Sequence, residues 1–356
     1  NILKLVKLLY TAQENDPRLN SDLAACCQKC KMTQGQEHGP MCLINQEQCL
    51  SCHNWFEPPN LYDGYCLNCH YECEDCDELI AEGNKCKNCL KKQKITHIAD
   101  FHNVLRSKLL RALFILSGKP SVSINKGRAE KKALTRTTNK VFRQLKTSHQ
   151  RYADVLSTLG FSLDLTNTPL IKKKLLSEKV TLLTGLKEGP WIGIAPFAAF
   201  EGKVYPAHLM EEVIKKIASK GLKIVLFGGG KHEVKILNTL ESNHKNVLSV
   251  AGKLSFKEEL EVIGALDVMV SMDSGNAHLA AMQQVKTITL WGVTHPYAGF
   301  APFYQPADYC IVSDLKRYPK IPCSIYGNKV LNGYENVMET ITPTSVVEKV
   351  MSVLSA

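Results

Sequence analysis

The sequence lacks a long hydrophobic run. No apolar stretch approaches the ~20 residues that a helix needs to cross a bilayer. The longest one, residues 104–116, is interrupted by Arg106, Lys108 and Arg111. Hydrophobic residues make up 44% of the 356 positions, which is ordinary for a soluble protein. The sequence therefore predicts no membrane-spanning helix, and its length leaves room for two or three domains.

The first 89 residues have few large apolar side chains but hold 12 of the 14 cysteines. A Cys-x-x-Cys pair places two thiolates on one side of a turn, and two pairs complete a tetrahedron around Zn²⁺. Metal binding would supply much of the folding free energy that so small an apolar core cannot. Residues 1–90 are thus predicted to form a structural zinc module that binds a protein partner. Its predicted ligands are the five pairs Cys27/Cys30, Cys49/Cys52, Cys66/Cys69, Cys73/Cys76 and Cys86/Cys89.

The spacing of these Cys-x-x-Cys pairs does not determine which of them share a zinc ion. Pairs 49/52 and 66/69 can share one ion and 73/76 and 86/89 another, or the two sites can be cross-braced. A third site would combine Cys27 and Cys30 with Cys42 and either Cys26 or His38. Disulfides, an iron–sulfur cluster and covalent haem at the two Cys-x-x-Cys-His sequences are alternatives. Disulfides are disfavoured because the pairs are closely spaced and the remaining sequence looks cytosolic.

Residues 91–152 almost lack negative charge. They carry 16 Lys and Arg against Asp100 and Glu130 alone, a formal +14, whereas residues 1–89 have a formal −6. Such a block predicts an anionic partner, namely nucleic acid, an acidic membrane face or a phosphorylated substrate, although a solvated surface is the alternative. Aromatic residues are not interleaved with the charges, which disfavours nucleic acid.

Strands and helices alternate after Pro190. Strands are predicted at 191–195, 222–227, 247–250, 267–271 and 286–291, and helices at 207–220 and 231–240. Ser255–Glu258 is a capping box, and Pro343 begins a final helix. Alternating units of this length imply a parallel, doubly wound sheet that binds ligands at the carboxyl ends of its strands.

The segment before this sheet has a weaker pattern. A short strand is predicted within 94–102 and another at 121–124, and the basic run from Lys126 opens a loop or helix that ends near Tyr152. Between the strands lies an amphipathic helix whose predicted apolar face is formed by Val104, Leu105, Leu109, Leu110 and Leu113.

The loop Asp273–Leu279 carries the sharpest motif. Its Ser274 hydroxyl, the unhindered backbone of Gly275 and the free N–H groups of a helix start form an anion site that suits a diphosphate. His278 lies in the first helical turn and can donate to the same oxygens. A plain helix cap with a surface histidine is the alternative.

Several motifs together resemble glycosyltransferase family 9, the bacterial ADP-heptose:lipopolysaccharide heptosyltransferases, which have a GT-B fold. The resemblance covers residues 93–354. It rests on the Asp-Ser-Gly-x-x-His-Leu loop, the Trp-Gly-Val-Thr-His-Pro turn (291–296), Ala-Pro-Phe (195–197) followed by Lys203 and Pro206, and the segments 99–107, 126–132, 150–154 and 322–329.

The resemblance implies a set of contacts to an ADP-sugar donor. Lys203 would neutralise phosphate, Glu233 would bind the ribose diol and Leu254 would flank the adenine. Ser274, Gly275 and His278 would hold the diphosphate, while Asp273 would orient the loop or a sugar hydroxyl. The family needs no metal for glycosyl transfer and inverts the anomeric centre, so that lysine and helix dipoles stabilise the leaving ADP.

The sequence also departs from this family. Members open with a strand and a Gly-Asp turn whose aspartate is the general base, and nothing in residues 1–92 resembles it. The predicted fold is therefore a GT-B-like α/β protein in three parts. These are the zinc module (1–90), a truncated, basic acceptor-binding half (91–180) and a nucleotide-sugar-binding Rossmann-type domain (181–356). Asp100 and His102, at a strand end, are candidate substitutes for the base.

These features predict an inverting heptosyltransferase at the cytoplasmic face of the inner membrane. It would contact the membrane peripherally and transfer a heptose-like sugar to a phosphorylated lipid A or core acceptor. A donor-binding pseudoenzyme that recruits a partner through the zinc module is the first alternative. A zinc-dependent nucleic-acid binder is the second.

Overall fold

The computed structural model describes residues 95–167, 171 and 175–355, together with the backbone of six two-residue strands between residues 47 and 80. The chain divides into two compact units, residues 1–123 and 124–356. The side chains of all ten predicted zinc ligands lie outside the described residues: Cys27, Cys30, Cys49, Cys52, Cys66, Cys69, Cys73, Cys76, Cys86 and Cys89. Among the side chains that are described, no group of three or more His, Cys, Asp or Glu is placed to hold a metal ion.

The six short strands of the first unit form three antiparallel pairs. β1 (Glu47–Gln48) pairs with β2 (Trp55–Phe56), β3 (Leu61–Tyr62) with β4 (Tyr65–Cys66), and β5 (Tyr71–Glu72) with β6 (Leu79–Ile80). In sequence, two of the Cys-x-x-Cys pairs, 49/52 and 73/76, fall between paired strands.

The first unit also contains a parallel strand pair with a crossover helix. β7 (Ile98–Asp100) pairs with β8 (Ser121–Ser123), and α1 (Leu105–Leu116) connects them, which confirms the three predicted elements. The four leucines of the predicted apolar face of α1 are nevertheless exposed, while Val104 is the half-buried N-cap residue. No residue of this helix is buried, and Leu105 and Leu116 are each 84% exposed. The residues that are half-buried include Ser107, Arg111 and Phe114, on the opposite side.

The second unit is built on a six-stranded sheet in which all neighbouring strands are parallel. The spatial order is β11-β10-β9-β12-β13-β14. The strands are β9 (Trp191–Ala195), β10 (Lys223–Leu226), β11 (Val247–Ser249), β12 (Val268–Met272), β13 (Lys286–Trp291) and β14 (Cys310–Val312). The predicted parallel sheet is confirmed, and β14 is an additional strand that the sequence pattern did not indicate.

Helices cover both faces of this sheet, which confirms the doubly wound prediction. Along β9, Ile192 and Ile194 point to one apolar core and Trp191 and Ala195 to the other. The first core includes residues of α5 (Ala207–Ala218), α6 (Gly230–Asn243) and α9 (Pro343–Ser355). The second includes residues of α4 (Glu178–Thr184), α7 (Phe256–Ala265) and α8 (Gly275–Met282). Burial on both faces explains why these strands are almost continuously apolar.

Two helices precede α4 in this unit, α2 (Arg128–Leu134) and α3 (Ser148–Thr158). The expectation of a basic loop or helix that ends near Tyr152 is therefore wrong: α3 begins with a capping box at Thr147 and continues past that residue. Leu134 and Leu145 pack with Ala298 in a small apolar cluster, and the Leu145 N–H donates to the Tyr297 carbonyl at 2.9 Å. In the described part of the chain, no helix has the length and apolar character to span a bilayer.

Candidate functional site

The strand order creates a crevice at the carboxyl edge of the large sheet. β9 lies between β10 and β12, and the chain runs outward to β11 before it returns to β12 on the other side. The loops after β9 and β12 therefore diverge at a topological switch point, where open α/β sheets bind their ligands.

Lys203 and Asp273 meet at this switch point. Lys203 ends a short 3₁₀ helix, Glu201–Lys203, that follows β9, and Asp273 directly follows β12. Lys203 Nζ lies 3.3 Å from Asp273 Oδ2, and both side chains are nearly buried. The hydroxyl of the fully buried Thr294 donates to the same carboxylate oxygen at 3.0 Å. Asp273 thus pairs with the Lys203 ammonium and orients it at the carboxyl edge of the sheet.

The loop after β12 presents a helix start beside this cation. Ser274 is the extended N-cap residue of α8, Gly275 is its first helical residue, and the first turn contains no acidic side chain. The Ser274 hydroxyl is 3.1 Å from the Ser271 hydroxyl. The unsatisfied N–H groups and the positive end of the helix dipole favour an anion here.

His278 is the fourth residue of α8. Burial lowers the pKa of its imidazole below the usual range; Asp273 opposes this shift, and Lys203 adds to it. A lowered pKa keeps the ring neutral at pH 7, so that it offers one N–H donor without adding a second positive charge.

Glu233, in the first turn of α6, and Leu254, in the loop after β11, lie at the same edge of the sheet. Glu233 follows β10, and its Oε2 accepts the N–H of Gly229 at 2.8 Å. A β-carbon at Gly228 would lie 3.1 Å from that carboxylate oxygen and 3.3 Å from the Phe197 ring, so this position has little space for a side chain. Leu254 follows β11 and is half-buried against the second apolar core. The seven predicted donor-binding residues therefore all follow strands β9 to β12 at one edge of the sheet.

Three further residues belong to this neighbourhood and were not predicted. Thr294 lies in the turn after β13, and Gly327 contacts the Lys203 side chain. His149, on α3, stacks on Phe303 with ring centroids 4.7 Å apart, and burial, followed by the charge of His278, lowers its pKa to about 4. Each of the three is far in sequence from the site residues that it lies near. Thr294 and Gly327 nevertheless fall within motifs already noted at 291–296 and 322–329.

Asp100 and His102 belong to the first unit, and a catalytic role for them stays a prediction. Asp100 is buried at the end of β7, where its Oδ1 accepts the N–H groups of His102 at 3.0 Å and Asn103 at 2.7 Å. Its Oδ2 is buried and has no hydrogen-bond partner among the described residues. The His102 side chain is exposed. The first carboxylate oxygen thus stabilises the turn after β7.

A doubly wound parallel sheet with a lysine and a helix start at its switch point is typical of α/β proteins that bind phosphorylated ligands at this edge. The family model of glycosyltransferase family 9 (heptosyltransferase) matches residues 84–325. The chain therefore belongs to glycosyltransferase family 9.

Curated relatives and solved structures agree with this assignment. Lipopolysaccharide heptosyltransferase 2 of Salmonella typhimurium is 29% identical over 175 residues, 47% of this chain and 48% of that protein. Lipooligosaccharide heptosyltransferase 2 of Haemophilus influenzae is 30% identical over 185 residues, 50% of this chain and 51% of that protein. The chain thus spans about half the length of the curated relatives it matches.

Two solved structures share the fold. The glycosyltransferase family 9 protein of Veillonella parvula aligns with a TM-score of 0.55 at 17% identity, over 75% of this chain and 76% of that one. ADP-heptose LPS heptosyltransferase II of E. coli aligns with a TM-score of 0.50 at 21% identity, over 75% and 79%. The GT-B-like α/β fold with a parallel sheet is therefore that of heptosyltransferase structures.

Proposed function

We propose that this protein is an inverting glycosyltransferase that moves a heptose from an ADP-sugar to a phosphorylated lipid A or core acceptor. The observation that carries the proposal is the convergence of Lys203, the start of α8 and His278 at the switch point. Glu233, in the first turn of α6, and Leu254, after β11, follow the next two strands at the same edge. Membership of a heptosyltransferase family supports an activated sugar as the ligand of such a site.

The donor would occupy the crevice with its diphosphate on the first turn of α8. Lys203 and the neutral His278 would donate to phosphate oxygens, and the N–H of Gly275 would approach the same group without a side chain in the way. Glu233 would exchange its contact with Gly229 for the ribose hydroxyls, while Leu254 would pack against the adenine.

In the transfer step, an acceptor hydroxyl oxygen forms a bond to the anomeric carbon while the bond from that carbon to the β-phosphate oxygen breaks. ADP leaves with the electron pair, and the hydroxyl proton passes to a general base. Lys203 and the dipole of α8 stabilise the charge that develops on ADP, so no metal ion is required. Asp100 remains our candidate for the base, with His102 as the alternative.

The test is ADP release from ADP-heptose by the purified protein, with and without a Kdo-bearing lipid A acceptor. We expect ADP release only when the acceptor is present, and loss of a catalytic base in Asp100→Asn should lower the rate by ~10²–10⁴-fold. ADP binding without turnover would contradict enzymatic transfer and favour a donor-binding pseudoenzyme. Absence of ADP binding would overturn the proposal altogether.

The acceptor would be attracted by the exposed part of the basic segment. Lys131, Lys140 and Arg151 make internal contacts: Lys131 Nζ lies 4.3 Å from the centre of the Phe300 ring, and Lys140 donates to the carbonyls of Lys320 and Pro322. Burial, followed by the charges of Arg151 and Lys126, lowers the pKa of Lys131 to about 8. The basic side chains on and after α2 that are exposed include Arg128, Lys132, Arg136 and Arg143.

We further propose that α1 binds the anionic cytoplasmic face of the inner membrane, which makes the protein a peripheral membrane enzyme of the cytoplasm. Its leucine face is exposed, and the helix carries the exposed Arg106 and Lys108 but no acidic residue. Exposed leucines flanked by basic side chains complement a surface of anionic lipid over apolar chains.

We expect the protein to float with vesicles rich in anionic phospholipid and not with neutral phosphatidylcholine vesicles. Leu109→Ser with Leu113→Ser should abolish flotation, because the two leucines are 67% and 53% exposed and would lose their insertion into the acyl region. Leu186→Ser is the matched control, an exposed leucine in the other unit. Equal flotation of all three proteins, or concentration-dependent dimerisation that the double substitution removes, would contradict a lipid partner.

We also propose that the Cys-x-x-Cys pairs hold structural zinc and that the resulting module recruits a protein partner. Support comes from the spacing of the pairs and from the short antiparallel strand pairs between residues 47 and 80. Four pairs complete two tetrahedra, so we expect about two Zn²⁺ per chain by elemental analysis, and a third if Cys27 and Cys30 also bind.

Removal of the zinc should make residues 1–90 sensitive to protease while the thermal unfolding of the second unit is unchanged. Cys310→Ser and Cys323→Ser are the controls, since both are free thiols of the second unit and their loss should leave the zinc content as it was. Haem absorbance, or disulfides by thiol titration, would replace this proposal with one of its alternatives.

A further inference from the structure

The stem of the Lys203 side chain packs directly on Gly327. A β-carbon at Gly327 would lie 2.5 Å from Cγ and 2.6 Å from Cδ of Lys203, closer than two carbon atoms approach. Gly327 also has a φ of +86°, which side chains other than glycine rarely adopt. Both the backbone conformation and the contact therefore require glycine at this position.

The loop around Gly327 is held against the turn that carries Lys203. The buried Ser324 hydroxyl accepts the Gly327 N–H at 2.9 Å and lies 3.1 Å from Asn328 Oδ1, to which it can donate. The Cys323 N–H donates to the Val293 carbonyl at 2.9 Å. A β-carbon at Gly202, the residue before Lys203, would meet Val293 at 2.7 Å and the Gly327 carbonyl at 3.3 Å. The loop and the turn are thus in close contact.

Lys203 is consequently fixed at both ends. Gly327 limits the path of its alkyl stem, and Asp273, held by Thr294, receives its ammonium. Residues 293 and 294 connect the two contacts, because Val293 anchors the loop and Thr294 anchors the carboxylate. Without the Gly327 contact, a lysine side chain has several rotamers available, and ordering it upon ligand binding costs affinity.

We propose that the loop Pro322–Val330, through Gly327, is a positioning element that fixes Lys203 for the donor diphosphate. The identity of the ligand in this proposal rests on the proposed function. The position of the lysine rests on the packing alone. Gly327 touches no ligand in this scheme and acts only through Lys203.

The experiment compares Gly327→Ala with Gly333→Ala. Gly333 has a φ of +80° and nothing within 4 Å of its β-carbon position, so the two variants share the backbone cost and differ in the contact with Lys203. ADP binding by titration calorimetry should weaken about tenfold in Gly327→Ala, the effect of misplacing one charge-assisted hydrogen bond, and remain near wild type in Gly333→Ala. Equal losses in both variants would overturn the proposal.

A double variant separates positioning from general damage. Lys203→Ala removes the stem that the new methyl group would strike, so Gly327→Ala should cause no further loss of ADP affinity in that background. Additive losses would mean that Gly327 acts independently of Lys203.

A second readout does not depend on ADP. Acetylation of the Lys203 amine by sulfo-NHS-acetate, followed by mass spectrometry, should be slow in the wild type and in Gly333→Ala and several-fold faster in Gly327→Ala. Unchanged acetylation would refute the positioning role. Faster acetylation in a protein that binds no ADP would retain the positioning role and reject the donor assignment.

Discussion

Replacement of Lys203 by alanine should weaken ADP binding by roughly 10- to 100-fold. A hydrogen bond to a charged group contributes about 1.5–3 kcal/mol, which corresponds to that range of dissociation constants. The effect is expected to be large because Lys203 is nearly buried, so its charge is only weakly screened by water. Titration calorimetry with ADP measures the change.

The matched control for this experiment is Lys231→Ala. Lys231 is exposed in the first turn of α6, on the same edge of the sheet, and makes no contribution to the proposed phosphate contacts. Its loss should change ADP affinity only slightly, as expected for an exposed charge. A comparable loss in both variants would indicate a general electrostatic effect, and unchanged binding in Lys203→Ala would contradict the proposed donor site. Lys203→Met, which retains the alkyl stem, should match Lys203→Ala in affinity.

Arg151→Met should destabilise the second unit by about 2–4 kcal/mol, because it removes a nearly buried guanidinium and the three hydrogen bonds that this group donates. The Arg151 guanidinium donates to the carbonyls of Asn125 at 3.0 Å and Lys146 at 3.2 Å and pairs with Glu130 at 2.8 Å. Only 6% of its side chain is exposed. A thermal melt should show a lower midpoint by roughly 5–15 °C.

Arg143→Met provides the comparison, since Arg143 is an exposed arginine of the same basic segment. Its stability should change by no more than about 0.5 kcal/mol. Binding of the acceptor or of vesicles should show the reverse order. Arg143→Met should lose more binding than Arg151→Met, when the latter is measured at a temperature where it is folded. If both variants melt like the wild type, the internal role assigned to Arg151 is wrong.

The sequence pattern predicted the large sheet well because strands that are buried on both faces consist almost entirely of apolar residues. The bounds of β9 and β13 were predicted to the residue, and the bounds of β10, β11 and β12 differ from the prediction by one residue. β14, with three half-buried residues at the sheet edge, has too short a signal to recognise. Periodicity also predicted α1 but not its environment, because an apolar face shows only that a helix is amphipathic and does not identify what contacts it.

The residues of the candidate site likewise include some that the sequence pattern could predict and some that it could not. Ser274, Gly275 and His278 could be predicted because one local motif contains all three, at the start of α8. Thr294, Gly327 and His149 were missed because their contacts cross long distances in sequence. The charge of the basic segment was visible at once, but its division into exposed side chains and internal ones such as Arg151 depends on packing that composition does not encode.

The contacts of the segment before α4 determine where this protein can be cut. A fragment that starts at residue 181 would lose Leu134 and Leu145 from the cluster around Ala298, and also Lys140, which donates to the carbonyls of Lys320 and Pro322 at the entrance of the Gly327 loop. The surface exposed by this truncation would be apolar around Ala298 and would lack a hydrogen-bond donor for the carbonyls of Lys320 and Pro322. For crystallisation or transplantation into another enzyme, the second half of this chain should therefore begin near residue 124.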